Sequence, residues 1–506
     1  MPLLDQPVLL LAAVAYLAAV FLVAAWAARR TKDARDFFIA GQRIGLVVTG
    51  LATTTAAFSG FVFLGGPGLT YRLGTSAFLI CASTGFTAAL LCWTVGKRLR
   101  LLAGVREIYT VPDAVQARFG SRGAAALAAV AVVAGTIGYL GAQLLALGVL
   151  VESLLGTREL LGAWSLPAAM GLGLLVVLVY AVSGGMVAGV YTDVVQGAVM
   201  LVAAVVVFGY AMAAGGGPAG IARAIAESPA FGADFLDPLA GVPAATGLGL
   251  FFVFAVGVLG QPHMLHKFYM LDDPAKLRWM PLVIAGSQTV CLLIWIGIGL
   301  AVPALVAGGG MAPLANPDDA APAFLLARVP APVAGLVFAG VLAAIMSTAD
   351  SFVNVGAAAL VRDLPRALGR PLADELGWGR RAVALLALAA ALFAWAYGDL
   401  VALLGTFAFG TFAAALAPAL AIGLAWRRVT ARAASASIAT GLGASIGLEL
   451  LGRLPADAPG AGLLPAGAVP SAVALAASTV VLCAVTLAGR GGEPELPADV
   501  AAALDL

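Results

Sequence analysis

The chain has 506 residues, of which 62% are hydrophobic and only 11% are charged, and its mean hydropathy is +1.03. A soluble domain is about 45–50% apolar and about 25% charged, so this chain lacks the polar surface that a water-soluble globular protein needs. Its 28 basic and 26 acidic residues nearly balance, which excludes the strongly basic surface of a nucleic-acid-binding protein. The composition therefore predicts an all-α polytopic protein whose main partner is the lipid bilayer.

Apolar stretches follow one another along the chain and predict about 13 membrane-spanning helices, each close to the roughly 20 apolar residues that a bilayer requires. We number these spans 1 to 13; they cover 7–28, 46–69, 75–96, 123–152, 163–183, 191–213, 242–262, 281–305, 331–360, 382–398, 401–426, 433–452 and 470–489. With the N-terminus outside, 23 of the 28 basic residues fall on the inner side, as the positive-inside rule expects. We therefore expect a multi-pass protein of the cell (inner) membrane, with its N-terminus outside and its C-terminus in the cytoplasm.

Spans 2 and 7 contain residues that interrupt a helix. Span 2 includes Ser59-Gly60 and Gly65-Gly66-Pro67-Gly68, and span 7 includes Gly257 and Gly260-Gln261-Pro262. Glycine and proline are common in membrane helices, so either span alone is ambiguous. Two interrupted spans in corresponding positions, however, indicate the binding site of a transporter, where unwound backbone carbonyls can coordinate a cation. The offset of five spans suits an inverted repeat of five helices plus five helices.

Span 9 places oxygen-bearing groups on one face. Ala344, Ser347 and Thr348 lie at positions i, i+3 and i+4, which are neighbours on a helix surface. One carbonyl and two hydroxyls there can complete an oxygen shell around sodium; alternatively, the hydroxyls bond their own helix or a neighbouring one. Asp350 in the same span and Asp193 at the start of span 6 are further candidates, because an acid within a membrane is costly. Asp193 can also be an acid that stabilises a helix N-terminus.

Nothing in the sequence indicates an enzyme. No Ser/His/acid grouping and no cluster of metal ligands stands out, so the only metal we expect is Na+. The two histidines, His263 and His266, fall beside Lys267 at the inner end of span 7, where we expect them at the membrane interface. A membrane-embedded solute sensor and a proton-coupled carrier of the same fold remain alternatives.

Four segments resemble the sodium/solute symporter family, which includes the sodium/proline and sodium/pantothenate symporters. They are Ser59–Gly68, Ser183–Met186 with Thr192–Gln196, Gly260–His263 and Ala343–Ser351. The resemblance implies a LeuT-like fold in which residues 46–213 (spans 2–6) and 242–426 (spans 7–11) are the two inverted repeats. An extra helix and a cytoplasmic loop (1–45) would precede the repeats, and two helices with a short cytoplasmic tail (427–506) would follow.

The resemblance also implies a function. The chain would import a small organic solute, such as a carboxylate, an amino acid or a related metabolite, together with Na+ by alternating access. No obligate protein partner is implied. Carried over residue by residue, the main sodium site falls on the carbonyls of Thr55, Phe58 and Ala344 and the hydroxyls of Ser347 and Thr348. A second site, for a cation or a proton, maps to Asp193, Asp350 and Ser351.

The substrate site departs from the proline pattern of that family. Proline transporters carry a Trp and a Tyr where this chain has Phe254 and Val258, and an Asp where it has Ala57, so we do not expect proline as the solute. Gln143 lies in the middle of span 4, where its amide either contacts the solute or bonds another helix. The candidate substrate-binding residues are Thr54, Ser59, Gly60, Gln143, Phe254 and Gln261.

Overall fold

The computed structural model describes residues 7–28, 40–454, 464–465, 467–489 and 494–505, with backbone only at residues 10, 27–28, 40, 179–188 and 376. Most of the predicted inner loop after span 1, and the side chains of residues 183–186, lie outside this description. The described part is helical apart from one isolated parallel bridge between Ile44 and Leu271. The all-α class predicted from composition is confirmed.

Eleven helices of the described part are long and apolar enough to cross a membrane. They correspond to span 1 and spans 4 to 13: Pro7–Trp26, Arg122–Leu155, Arg158–Leu178, Gly189–Ala214, Ala244–Met270, Met280–Ala307, Ala331–Ala367, Gly377–Tyr397, Val401–Ala425, Ala431–Gly452 and Pro470–Ala488. Span 2 is a bent pair, Leu46–Ala57 and Phe61–Leu79, whose halves meet at 53°, and it brings the number to twelve. Spans 5 and 6 belong to one helical run, Ser165–Ala214.

Span 3 differs from its prediction as a single apolar helix. The chain there forms a 3-10 segment Gly74–Leu79, a helix Thr84–Leu90, a π-helical segment Leu91–Gly96 and a helix Lys97–Val105. Gly74 at φ 64° begins the first piece, and the last piece carries Lys97, Arg98 and Arg100. The interruptions leave no single helix of spanning length in span 3, so 11 or 12 helices of the described part, rather than 13, are long and apolar enough to cross a membrane.

Capping residues set the ends of several helices. Ser121 begins span 4, where its hydroxyl accepts a hydrogen bond from the Ala124 N–H at 3.2 Å, and Gly156 at φ 61° ends that helix. Thr430 caps span 12 in the same way, through the N–H of Ala433 at 3.2 Å. The capping oxygens satisfy N–H groups that have no partner within the helix, and glycine accommodates the left-handed conformation that follows a helix.

Spans 9 and 11 form the centre of the bundle. In their most apolar windows 72% and 83% of the residues are buried, against 24% in span 1 and 28% in span 12. Span 9 packs against the Ser165–Ala214 helix, and span 11 packs against span 4. A helix that is apolar on all sides can face either the protein core or lipid, and the burial of spans 9 and 11 shows that these two face the core. Both lie beside the interrupted spans 2 and 7.

Candidate functional site

Span 2 is interrupted where glycine was expected to break it. The helix Leu46–Ala57 ends at Phe58, whose φ of −97° and ψ of 102° are extended, and a π-helical segment, Phe61–Gly65, follows. The N–H of Gly60 donates to Oε1 of Gln143 at 3.0 Å, and the N–H of Phe61 donates to Oγ of Ser59 at 3.1 Å. These two side chains therefore satisfy the backbone donors that the break releases.

Glycine at position 60 is required by close packing. A Cβ atom there would lie 2.7 Å from Cβ of Ala146 and 2.9 Å from a side-chain carbon of Ile345. Both distances are shorter than van der Waals contact. The backbone at the break can therefore pack closely against spans 4 and 9 only if position 60 has no side chain.

Span 7 is interrupted in a similar way. Its first half, Ala244–Gly257, continues as a 3-10 turn, Val258–Gly260, and the second half, Pro262–Met270, starts after the extended residue Gln261. The amide nitrogen of Gln261 donates to the carbonyl oxygens of Gly257 and Phe409, both at 3.0 Å. A buried glutamine thus bonds the backbone at each break, and Gln143 and Gln261 serve as structural bridges in this conformation.

Two of the five residues predicted for the main sodium site, Thr55 and Thr348, are in contact between spans 2 and 9. The hydroxyl of Thr348 donates to the carbonyl oxygen of Thr55 at 3.1 Å and to that of Ala56 at 3.3 Å. Thr55, Ala344, Ser347 and Thr348 have no exposed surface. The carbonyls at the end of a helix have no intrahelical partner and carry the negative end of the helix dipole, so this junction offers oxygen ligands in a setting that favours a cation.

Asp193, one residue of the predicted second site, contacts Ser347 of the predicted main site and pairs with a lysine. Nζ of Lys267 lies 2.9 Å from Oδ2 of Asp193, and the other oxygen of Asp193 accepts a hydrogen bond from Ser347. The carboxylate of Asp350 lies against Gly189, one helical turn before Asp193. Oγ of Ser351 is buried and has no hydrogen-bond partner among the described residues.

The predicted interfacial position of His263, His266 and Lys267 is wrong. Their exposed fractions are 1%, 3% and 1%, and every residue of Pro262–Met270 is buried. The break at Gln261 directs this half-helix into the bundle, between spans 2, 9 and the inner end of span 3. Sequence reasoning placed Lys267 at the interface because basic residues usually end a span there, and it therefore missed the ion pair with Asp193.

A cavity lies between the two breaks. Stacked aromatic rings form much of its wall: the ring centroids of Phe254 and Phe409 are 4.4 Å apart, and those of Phe61 and Phe254 are 5.5 Å apart. No charged side chain is among the described residues that line it, which are Ala57, Phe58, Phe61, Val62, Ile80, Cys81, Ser83, Thr84, Thr87, Tyr139, Phe254, Val258, Met264, Gln288, Leu292, Trp295 and Phe409.

Of the six predicted substrate-binding residues, only Phe254 lines this cavity. Thr54 bonds back to the carbonyl of Gly50 on its own helix at 3.1 Å, and the other four hold the breaks. The polar lining comes instead from span 3, through Ser83, Thr84 and Thr87, and from Tyr139 and Gln288. A cluster of hydroxyls in span 3 and a lone glutamine in span 8 were the sequence signals that could have pointed to them.

Basic residues predicted in inner loops hold helix ends on that side. Nε of Arg100 donates to the carbonyl of Leu271 at 2.7 Å, and Nε of Arg118 donates to that of Gly423 at 2.9 Å. Arg362 pairs with Asp113 at 2.6 Å. Burial lowers the pKa of Arg118 to about 10, which leaves it protonated at neutral pH. These contacts join the inner ends of spans 3, 7, 9 and 11.

Comparison with known proteins identifies this arrangement. A family model described as the sodium:solute symporter family matches residues 37–441. The chain belongs to this family. The resemblance noted in the sequence is thereby confirmed, and with it Na+ as the coupling ion and secondary active symport of a solute as the function.

Two relatives agree with this assignment, and a solved structure shows the same fold. The osmoregulated proline transporter OpuE of Bacillus subtilis (strain 168) is 27% identical over 84% of this chain and 85% of its own length. The sodium/pantothenate symporter of Escherichia coli (strain K12) is 26% identical over 85% and 88%. The structure of a Na+-coupled sialic acid symporter aligns with a TM-score of 0.75 at 18% identity, over 97% of this chain and 99% of that one.

A more distant structural neighbour is Mhp1, a nucleobase-cation-symport-1 family transporter in a closed conformation. It aligns with a TM-score of 0.56 at 15% identity, over 94% of this chain and 99% of that one. The LeuT-like fold is therefore confirmed. The family assignment also agrees with the prediction that the chain is not an enzyme, since the relatives are transporters.

Proposed function

We propose that the coupled sodium binds where span 2 is interrupted, held by the carbonyls of Thr55, Phe58 and Ala344 and by the hydroxyls of Ser347 and Thr348. The contact of 3.1 Å between the Thr348 hydroxyl and the Thr55 carbonyl supports this proposal most directly. It brings oxygens from both repeats within the reach of one ion. A cation at this point would link span 2 to span 9 and favour the conformation in which the cavity is formed.

The energy available from one sodium is sufficient for accumulation. Moving one charge through 100 mV is worth about 2.3 kcal/mol, and a tenfold sodium gradient adds about 1.4 kcal/mol. For an uncharged solute, the two together can sustain a gradient of several hundredfold, on the order of 3.7 kcal/mol. A solute with one negative charge cancels the charge of the sodium, so the sodium gradient alone, about 1.4 kcal/mol, would sustain a gradient of about tenfold. Coupling to sodium alone can therefore drive import without ATP.

We infer that the solute is uncharged or carries a single negative charge, and that it has an apolar body. The stacked rings of Phe61, Phe254 and Phe409 offer a flat apolar surface, and hydroxyls from span 3 with Gln288 offer neutral hydrogen bonds. The described lining carries no carboxylate to balance a cationic amine, and Ala57 stands where the proline pattern has an acid. A protonated amine would therefore be desolvated there without a partner, at a considerable cost.

A matched pair of compounds tests this inference. Proline and cyclopentanecarboxylate share a ring and a carboxylate, but only proline carries the charged amine. The apparent Tm of the purified protein should rise with cyclopentanecarboxylate or larger apolar monocarboxylates in sodium chloride, and much less in choline chloride. Stabilisation by proline, with none by its carbocyclic analogue, would contradict the inferred solute class.

We also propose that residues 46–213 and 242–426 form the two repeats, that span 3 crosses the membrane in its short helical pieces as a thirteenth crossing, and that the N-terminus therefore lies outside and the C-terminus inside. The interruptions of spans 2 and 7 occupy equivalent positions in these two segments, and 23 of the 28 basic residues fall on the inner side in this orientation. A fluorescent protein fused to the C-terminus should fold and fluoresce in the cytoplasm. A fusion that is active only when exported would contradict the orientation.

A further inference from the structure

The ion pair between Lys267 and Asp193 is the least expected feature of the bundle interior. The two side chains are 2% and 3% exposed, and Nζ lies 2.9 Å from Oδ2. They belong to the second half of span 7 and to span 6, so the pair joins two helices away from solvent. A carboxylate buried this deeply requires a positive charge or several hydrogen-bond donors, and the ammonium of Lys267 supplies that charge.

This ammonium pairs with one of the three residues of the predicted second cation site. Asp193 receives it directly. The carboxylate of Asp350 lies against Gly189, one turn earlier on the same helix as Asp193. Ser351, the third member, keeps a buried oxygen without a hydrogen-bond partner in the described part of the chain. Asp193, Asp350 and Ser351 thus supply oxygens that could coordinate an ion. The Lys267 ammonium, which has the same charge as sodium, is bound to one of them, Asp193.

Asp193 also connects this cation to the proposed main sodium site. Its Oδ1 accepts the proton of the Ser347 hydroxyl, so the lone pairs of that hydroxyl are free to face a cation between spans 2 and 9. Lys267 bonds only Oδ2, which leaves the Ser347 contact intact. The same carboxylate can therefore hold the lysine and orient a sodium ligand at the same time.

We propose that the Lys267 ammonium is the resident cation of the second site, so that this protein binds one sodium per transport cycle rather than two. The inference rests on the proposed sodium site between spans 2 and 9. In this arrangement Asp193 acts as a positioning residue for Ser347, and the second site carries a fixed positive charge that is not released with the solute. Removing the lysine charge should convert the second site into a sodium site.

Equilibrium binding of radioactive sodium to the purified full-length protein tests the proposal. The wild type should bind one ion per chain. Lys267→Met, which keeps a long apolar side chain but removes the charge, should bind two. Lys267→Arg retains a cation and should bind one. The double variant Lys267→Met with Asp193→Asn should also return to one, because the second site then lacks one of its two carboxylates, while the amide oxygen introduced at position 193 can still accept from Ser347.

Two results would overturn the inference while leaving the proposed main site in place. One is a wild type that binds two sodium ions. The other is a Lys267→Met protein that elutes as a single species, keeps an apparent Tm near that of the wild type and still binds one. A wild type with no saturable sodium binding would instead overturn the main sodium site itself. The number of sodium ions bound by the wild type is measured without any variant. The proposal can therefore be contradicted even if the Lys267→Met protein fails to fold.

Discussion

The hydroxyl of Thr348 reaches from span 9 to the last carbonyls of the first half of span 2. Thr348→Ala removes one oxygen from the proposed sodium shell. The loss of one such interaction is worth on the order of 1–3 kcal/mol, so we expect the half-saturating sodium concentration to rise by about fivefold to a hundredfold. Thr348→Ser keeps the hydroxyl and should remain close to the wild type. Sodium-dependent change in apparent Tm is the measurement.

Thr479 provides the control for this substitution. Its hydroxyl bonds Leu475 on its own helix in span 13 at 2.7 Å, far in sequence from both interrupted spans. Thr479→Ala should leave the sodium titration unchanged. Equal shifts of the titration in Thr348→Ala and Thr479→Ala would show that Thr348 is not a sodium ligand.

The position of a single residue in the bundle interior was predictable where its chemistry differs from that of its neighbours. Ser347, Thr348 and Asp193 are oxygen-bearing groups in apolar stretches, and all three lie in the bundle interior. The directions in which Thr54 and Lys267 face could not be predicted, because the sequence does not fix the rotation of an interrupted helix about its axis. Thr54 bonds its own backbone away from the cavity, and Lys267 faces inward on a half-helix that is buried on all sides.

A short loop helix outside the membrane, Pro317–Asp319, anchors the start of span 11. The N–H of Val401 donates to Oδ2 of Asp318 at 2.8 Å, and burial raises the pKa of Asp318 to about 7. Between about pH 4 and pH 7 the folded protein holds a proton that the unfolded chain has released. This group therefore makes the protein less stable as pH rises through that window, and the full penalty is present above pH 7.

Asp318→Asn removes this titration while keeping an oxygen that can accept from Val401. The apparent Tm of the variant, relative to the wild type, should increase as the pH is raised from 5 to 8. Asp237→Asn, at an exposed loop position, is the control and should show no comparable trend. A difference between Asp318→Asn and wild type that stays constant over this range would contradict the assigned pKa.

The helix Val111–Phe119 is fixed to the inner end of span 11 by Arg118. The guanidinium donates to the carbonyls of Gly423, Trp426 and Arg427 at 2.9, 3.2 and 3.1 Å. Arg118→Ala should reduce the free energy of unfolding by on the order of 3 kcal/mol, because several buried carbonyls lose a charged donor. Unfolding in a denaturing detergent measures this loss, and Arg432→Ala at an exposed position is the control; equal stabilities would contradict the role.

Elements were predictable where glycine or proline marks them. The break in span 2 lies at Phe58, beside Ser59-Gly60, and the break in span 7 lies at Gln261, between Gly260 and Pro262, as the sequence indicated. Span 3 was not predicted correctly, since it is a chain of short helical pieces. Its conformation depends on contacts with other elements, such as Arg100 with the end of span 7, which hydropathy does not report.

At the scale of the whole molecule, polar contacts close one side of the bundle. Arg362 pairs with Asp113, the hydroxyl of Tyr269 donates to the carbonyl of Thr110, and the backbone of Ile44 bonds that of Met270. Asp113→Ala should weaken this closure. Cys81, which lines the cavity, can report the change once the other three cysteines are replaced by serine.

A polar maleimide applied from the cytoplasmic side should label Cys81 several-fold faster in Asp113→Ala than in its parent. The reason is that Arg362 keeps only part of its ion-pair network when Asp113 is removed. Asp237→Ala serves as the matched control. An unchanged labelling rate in Asp113→Ala would show that the ion pair does not restrict access from this side.

Fold and transport class could be predicted for the whole molecule because they depend on distributed signals. The low charge content, the asymmetry of basic residues and the two paired breaks all involve many positions. The solute could not be predicted, since the cavity lining comes from six different spans whose mutual rotations the sequence leaves undetermined.

The coupling of sodium at spans 2 and 9 to solute movement is the central claim, and uptake into proteoliposomes tests it most directly. The solute identified by thermal stabilisation would be offered with and without an inward sodium gradient, to the wild type and to Ser347→Ala with Thr348→Ala. Uptake by the wild type should require the gradient, and the double variant should lose this dependence while retaining its fold. Unchanged sodium-dependent uptake by the double variant would contradict the account.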